Sequence, residues 1–402
     1  MGETVSDAAA SATAHTGTRT GWIVVAATFV STFTSFGVVY SFGAFFRPMA
    51  DEFGSDRSAT AFFFSITTFL YFGLGVFTGR IGDRIGPRRV LLVGAALLVT
   101  GLLVTSRVHS LWMGYFTYGI GVGAGVACAY VPMVAAVGGW FDRQRSTALG
   151  LSVAGIGAGT LVMVPITEAL VDRHGWRTTY VVLAFAAAGL FALAALGAKR
   201  PPVAATNVRP PPLRATIGRS RAFWLMYGAC FLVAVPLFTP FVFLSDYLKQ
   251  KGVDGSAGLA VGAIGLASVV GRLGLGAVAA RAGALRMYVV SFAVMASSYA
   301  LWFFAGASYA MVLVFAVVLG VSYGGFVALS PAVAADLFGS VGLGGVLGAL
   351  YTAAGLGGLV GPPLMGAVID GAGYRPAIAG CGVLALCAVA VLRLVRAPAG
   401  AR

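Results

Sequence analysis

The chain has 402 residues, of which 59% are hydrophobic and 10% charged, with a mean hydropathy of +0.91 and a formal net charge of +14. A water-facing surface needs a much larger charged share, so a soluble domain is excluded, as are disordered chains, collagen and secreted disulfide scaffolds. About 20 apolar residues cross a bilayer, so this length holds on the order of a dozen crossings. A basic excess is also the footprint of nucleic-acid binding, and the positions of the charges decide between the two.

In chain order, a polar leader precedes twelve apolar runs at roughly 22–46, 59–79, 90–105, 110–138, 146–168, 178–197, 222–246, 257–279, 287–305, 308–335, 342–369 and 375–396. The leader is poor in basic residues and the run from Trp22 is too long for a cleavable signal, so it is expected to stay as the first span. The start Met1-Gly2-Glu3-Thr4-Val5-Ser6 fits the loose myristoylation pattern, but twelve spans leave such an anchor nothing to add. Between the sixth and seventh runs, Lys199 to Arg221 carries Pro201, Pro202, Pro210, Pro211 and Pro212 with six basic residues, the composition of an extended linker. The expected organisation is an all-α membrane protein with a cytoplasmic tail (1–21), a six-helix bundle (22–197), a cytoplasmic linker (198–221), a second six-helix bundle (222–396) and a cytoplasmic tail (397–402).

Eighteen of the 27 Lys and Arg fall in segments on the linker side and eight on the other, while the acidic residues split the opposite way. The bias predicts a multi-pass protein of the inner or plasma membrane with both termini cytoplasmic, and it removes nucleic acid as a partner. One basic residue belongs to neither side: Arg272, in the middle of the eighth run.

The two halves repeat each other. GRIGDRIGPRR, Gly79 to Arg89, returns as GAVAARAGALR, Gly276 to Arg286, and Gly175-Trp176-Arg177 returns as Gly373-Tyr374-Arg375. The first of these resembles the loop signature of the major facilitator superfamily, with Gly79, Asp83, Arg84, Gly86, Arg88 and Arg89 at the motif's positions. The resemblance covers the whole chain in span count, linker and repeat. It implies two six-helix bundles that rock about a midplane site, with this loop as a conformational lock. Asp83 is expected at the positive N-terminal end of a helix of the other half, and Ala280 in the second copy makes the locking asymmetric.

Arg272 has no other charge within eight residues on either side. A guanidinium at the bilayer centre costs roughly 2.5–3.5 kcal/mol on insertion scales, so it needs an anion: an acidic side chain or a ligand. No Asp or Glu lies in the middle of a span, and Asp246, Asp336 and Asp370, near span ends, are the only protein candidates. A planar fork matches a carboxylate bidentately, and a single cation suits one carboxylate per ligand.

The opening GWIVVAATFVSTFTSFGVVYSFGAFFRPMADEFG and the stretch PMVAAVGGWFDRQRSTALGLSVAGIGAG from Pro132 resemble the two signatures of the monocarboxylate transporter family. The resemblance places Arg272 where that family and its bacterial lactate and oxalate–formate relatives hold their substrate. It also implies contacts from Cys128 and Tyr130, where those lactate carriers have Asn-x-Tyr, and from Tyr323 in the tenth span. Phe36, Tyr40, Phe241 and Tyr351 are further polar or aromatic candidates in cavity-lining spans. Tyr40 and Ser268 replace the lysine and aspartate of the animal proton relay, so that relay does not transfer. Ala354 replaces a lysine of the oxalate exchanger, which favours a monocarboxylate.

The expected activity is secondary transport of a lactate- or pyruvate-like acid by alternating access, as proton symport or anion exchange, by a monomer in contact with membrane lipid. An oxalate/formate-type dicarboxylate antiporter and an exporter of another organic anion are the alternatives. A cation exporter would want a cavity carboxylate, and a receptor or scaffold has little reason to keep a mid-membrane arginine. No enzymatic constellation, P-loop, cofactor motif or metal site is found. Cys128, Cys230, Cys381 and Cys387 stand singly, and His15, His109 and His174 lie in the leader or outer turns. Gly119-Ile120-Gly121-Val122-Gly123 lies inside a span and, like Gly75-x-x-x-Gly79, Gly155-x-x-x-Gly159 and Gly357-x-x-x-Gly361, reads as close helix packing. Pro165 and Gly361-Pro362-Pro363 are expected bends.

Overall fold

The computed structural model describes residues 3–141, 144–201, 217–218, 220–339 and 343–395, with the side chains of 3–18, 145, 146 and 280 left aside. Most of the expected linker and the last residues of the chain fall outside that set. Within it, every regular element is a helix. Lipid offers no partner for a free N–H or C=O, and a helix satisfies its own.

Span 1 comprises Glu3–Tyr40 and Phe42–Phe53, so the helix begins well upstream of Trp22, where the sequence suggests a tail. Span 2 comprises Arg57–Gly73 and Gly75–Ile85, bent by 47°. Span 3 is Pro87–Thr105, and span 4 runs through Leu111–Gly114, a π-helical segment Tyr115–Val122, and Gly123–Trp140. Spans 5 and 6 lie in Arg145–Gly197, divided at Gly175, whose φ of 76° and ψ of 162° are not helical. Span 7 comprises Arg221–Leu237 and Thr239–Lys251. The last five are Ala257–Ala282, Ala284–Ala305, Tyr309–Phe338, Leu343–Ala372 and Tyr374–Arg393.

Ten helices among the described residues are long and apolar enough to cross a membrane, and the bent pair makes an eleventh. The stretch Thr147–Gly197 has 51 residues, about 77 Å of helix, which is two crossings rather than one. Contacts at the ends agree with twelve. At the linker end, Trp140 Nε1 donates to the Lys199 carbonyl and Arg200 Nη2 to the Arg84 carbonyl at 2.7 Å. At the far end, Glu52 meets Trp176 and Arg177, each at 2.6 Å.

The duplication is written in the backbone. Gly86 and Gly283 close spans 2 and 8 with φ of 95° and 90°, and Gly175 and Gly373 turn with φ of 76° and 85°. Left-handed Gly54 and Gly252 end spans 1 and 7, and Ser110 and Ser308 cap the starts of spans 4 and 10. Spans 1 and 7 are also broken at matching places, Ser41 and Phe238.

The exterior is apolar: Trp112, Phe185, Leu196 and Phe304 are each more than two-thirds exposed, as lipid-facing side chains are. Small polar side chains are buried instead. Ser31 donates to the Ala129 carbonyl of span 4 and Thr32 to the Ser152 carbonyl of span 5, tying span 1 to both. Glycines let backbones touch: Gly155 and Gly159 lie on span 1 at Phe29 and Phe33, Gly125 on Gly94, and Gly357 and Gly361 on span 7. The expected bends at Pro165 and Pro362-Pro363 do not interrupt the helices that contain them.

The halves meet along two seams. Span 5 lies on span 8 through Gly157 and Gly265, and span 11 on span 2, where Gly358 faces Thr68. The outer parts of spans 1 and 7 also touch, Gly43 beneath the Phe241 carbonyl, whereas among the described residues spans 4 and 10 share no comparable interface at the linker end. Among the described residues, spans 1 and 7 thus meet at the far end while spans 4 and 10 stand apart at the linker end.

Candidate functional site

Arg272 sits on span 8 beside Gly271, whose missing side chain lets span 8 press against the Val321 carbonyl of span 10. That approach brings the guanidinium to 5.8 Å from the Tyr323 ring. Arg272 is 5% exposed and, with Asp246, is one of two buried charged side chains among the described residues. Its Nη1 donates across the seam to the Val153 carbonyl of span 5. Nε and Nη2 are buried and have no partner among the described residues. These two N–H groups share one edge of the planar guanidinium, the edge that takes a carboxylate bidentately. Each unmade bond on a buried charged donor costs about 1–3 kcal/mol or more, so this edge is a standing demand for an anion.

The acidic residues left open as partners do not supply it. Arg57 takes both Asp246, by Nε at 2.8 Å, and Asp370, by Nη1 at 2.8 Å, at the far end. Asp336 makes no ion pair among the described residues.

Around Arg272 stand five tyrosines from five spans. Tyr40 of span 1 and Tyr323 of span 10 share a hydroxyl–hydroxyl bond of 2.9 Å. Tyr40 stacks on Phe241 of span 7 at 4.2 Å, and these inter-half contacts roof the site toward the far end. Phe36 braces the wall, edge-on to Tyr130 at 5.0 Å and to Tyr71 at 5.5 Å. Tyr130 of span 4 and Tyr351 of span 11 lie within electrostatic reach of Arg272, are only partly buried, and their hydroxyls make no hydrogen bond among the described residues. Sequence reading missed Tyr71 of span 2, whose buried hydroxyl makes no well-formed hydrogen bond among the described residues and which lies in the field of Tyr323 and Tyr130. Its signal was the polar stripe Thr67, Thr68 and Tyr71 on an otherwise apolar span.

The arrangement thus brings Arg272, Tyr40, Tyr130, Tyr323, Tyr351 and Phe36 together with Phe241. It leaves Cys128 apart: the Cys128 Cβ lies against Gly94 of span 3, on the side of span 4 turned away from Tyr130's neighbours.

At the linker end, the loop motif packs span 2 on span 4. Gly79 faces Val131, Gly82 faces Pro132, and Gly86, at positive φ, also admits the Arg200 side chain. Asp83 is exposed, as are Arg84, Arg88 and Arg89, and Asp83 makes no hydrogen bond or ion pair among the described residues. Residues 340–342, just before span 11, are not among them.

The major facilitator superfamily model matches residues 28–284 and 254–402. Monocarboxylate transporter 3 of Rattus norvegicus is 30% identical over 366 residues, 87% of this chain and 74% of the relative. Monocarboxylate transporter 12-B of Danio rerio is 28% identical, covering 88% and 82%. The fujikurins efflux protein of Gibberella fujikuroi is 27% identical, covering 94% and 82%. The chain belongs to the major facilitator superfamily and, within it, to the monocarboxylate transporter family: it is a multi-pass membrane transporter and not an enzyme.

Proposed function

We propose that this protein is a secondary transporter of a small monocarboxylate of the lactate and pyruvate type, working by alternating access. The observation that carries the reading is the free Nε/Nη2 edge of Arg272, buried at mid-span with no anion beside it among the described residues. A substrate carboxylate fills that edge, and the hydroxyls of Tyr71, Tyr130 and Tyr351 donate to its oxygens or to a 2-hydroxyl or 2-oxo group. Binding cancels the site's charge and so favours closure around the ligand. Because Arg272 is the only buried cation among the described residues, one carboxylate per substrate fits better than two. The names of the mammalian and fish relatives support the same class.

The linker end, rich in Lys and Arg, is assigned to the cytoplasm of the inner or plasma membrane, with residues 22–197 and 222–396 as the rocking halves. The conformation is then inward-facing. The loop of Gly79, Asp83, Arg84, Gly86, Arg88 and Arg89 is assigned the opposite task, holding the linker end shut when the far end opens. Asp83, exposed and without a hydrogen bond or ion pair among the described residues, is consistent with a disengaged lock.

Uptake of labelled L-lactate and pyruvate into proteoliposomes tests the assignment. Arg272→Lys keeps the charge and loses the fork, so it is expected to lower uptake about 10–100-fold, the equivalent of one charge-assisted hydrogen bond. Wild-type rates in that variant would rule out the bidentate site.

A further inference from the structure

We propose that Tyr40 and Tyr323 form a latch that closes the substrate site to the far side, an inference that rests on the alternating-access reading above. The sequence assigns both side chains to the substrate; in the structure each hydroxyl is spent on the other, at 2.9 Å, across the line between the halves. Among the described residues, two hydrogen bonds join the halves at the depth of the site, this one and that from Arg272 to the Val153 carbonyl. The others lie at the far-end rim, joining Glu168 with Ser256 and Gly258, and Arg57 with Asp246 and Asp370.

Tyr40 is a partition between two compartments. On one side it lines the far-end cavity with Glu168, Ala257 and Gly258. On the other its hydroxyl reaches Tyr323, whose ring lies 5.8 Å from the Arg272 guanidinium. Phe241 of span 7 completes the partition, stacked on Tyr40 at 4.2 Å and edge-on to Tyr323 at 6.2 Å, and all three side chains are buried. The helix breaks fall at the same place. Span 1 breaks at Ser41, directly after Tyr40, and span 7 at Phe238, three residues before Phe241. Hinges are built from such element ends, where a few dihedrals absorb a swing, so the outer segments Phe42–Phe53 and Thr239–Lys251 part with the latch at their roots.

The rim is held by charge and the latch by one neutral bond. When the far end opens, that bond is exchanged for bonds to water, so its net worth is about a fivefold bias toward the shut form, small enough to be undone in every cycle. Opening also returns both hydroxyls to the cavity beside Arg272. An acid arriving from the far side therefore meets Tyr40 and Tyr323 as free donors, whereas one leaving by the linker end does not.

The experiment is labelling of Ala257→Cys, in the far-end cleft, by an impermeant maleimide added outside right-side-out vesicles without substrate. It is run with Tyr40→Phe, with Tyr323→Phe, with both, and with Arg57→Ala as the rim control, each relative to the same chain lacking Ala257→Cys. Phenylalanine keeps the ring contacts and loses only the bond. Each single variant is expected to label about fivefold faster or more, because the partner hydroxyl stays buried and unpaired until the far end opens. The double variant strands nothing and is expected to label no faster than either single. A double variant whose acceleration is the product of the two single effects would mark independent packing contacts and overturn the latch, and so would an unchanged rate in either single while Arg57→Ala labels faster. Background labelling in every variant, Arg57→Ala included, would instead sink alternating access and the latch with it.

Discussion

Arg272 shows how a single residue announces itself. A lone guanidinium in an apolar run is expensive wherever it points, so the sequence alone makes it informative. Tyr71 is the opposite case, because a tyrosine in a membrane helix has ordinary reasons to be there, and only its orphaned hydroxyl, 1% exposed as part of the residue, singles it out. Tyr71→Phe is expected to leave the melting temperature in detergent unchanged or raised, since a buried unpaired hydroxyl costs about 1–3 kcal/mol. The same change should weaken L-lactate binding by about fivefold, the worth of one neutral hydrogen bond of ~1 kcal/mol. Isothermal titration beside a thermal melt separates the two effects, and weaker binding with lower stability would argue for a packing role. The position of Cys128 was illegible for another reason: its motif places it two residues from Tyr130, yet on a helix such neighbours point about 200° apart.

Among elements, the contacts between spans 8 and 10 set the geometry of the site. A methyl group at Gly271 meets the Val321 carbonyl, whereas one at Gly274 meets nothing within 4 Å. Gly271→Ala should therefore push span 8 from span 10, cost roughly 1–3 kcal/mol of stability by overpacking, and raise the KM for lactate as Arg272 draws away from Tyr323. Gly274→Ala, with the same gain in helix propensity, should leave both unchanged, and a melt plus uptake kinetics on the pair decides it. The breaks at Leu74, between Gly73 and Gly75, and at Phe238, before Pro240, were not read from the sequence, although glycine or proline stands at each, while the prolines that were expected to bend, Pro165 and Pro362-Pro363, leave their helices uninterrupted. The break at Ser41 carried no such mark; its hydroxyl returns to the Gly37 carbonyl at 2.6 Å. The π-helical turn in span 4 was equally silent, because its glycine-rich sequence suits several helical pitches.

For the molecule as a whole, every ion pair joining the two halves among the described residues lies at the far end: Arg57 with Asp246 and Asp370, Arg47 with Asp246, and Lys249 with Asp172. Asp246 is 3% exposed and also accepts from the Tyr374 hydroxyl at 2.6 Å. Removing Arg57 leaves that buried carboxylate with only Arg47 at 3.8 Å and the Tyr374 hydroxyl, a loss felt only while the far end is shut, of about 1.5–3 kcal/mol for one charge-assisted hydrogen bond. Arg57→Ala should thus shift the population toward opening there. Ala257→Cys, buried in the far-end cleft, then reports it: an impermeant maleimide added from outside should label it many times faster with Arg57→Ala than without, relative to the chain lacking Ala257→Cys. Span count, duplication and family were legible because hydropathy and turn glycines are local signals. Which end is shut was not, because it depends on pairs such as Arg57 and Asp370 that are distant in sequence and join in one conformation only.

The guanidinium at mid-depth also makes the empty carrier an electrical device. With the far end sealed, Arg272 lies at the potential of the linker-side solution; with the linker end sealed, at that of the other side. Under the proposed alternating access with the linker end in the cytoplasm, the field moves past a stationary charge, and an interior-negative voltage favours the empty inward-facing form by about 2.3 kcal/mol per 100 mV. Once a carboxylate sits on the free edge, the site is neutral and that preference disappears. Resting voltage thus slows the return of the unloaded protein to the outside and leaves the loaded crossing untouched, which biases the molecule toward exchange whenever internal substrate is plentiful.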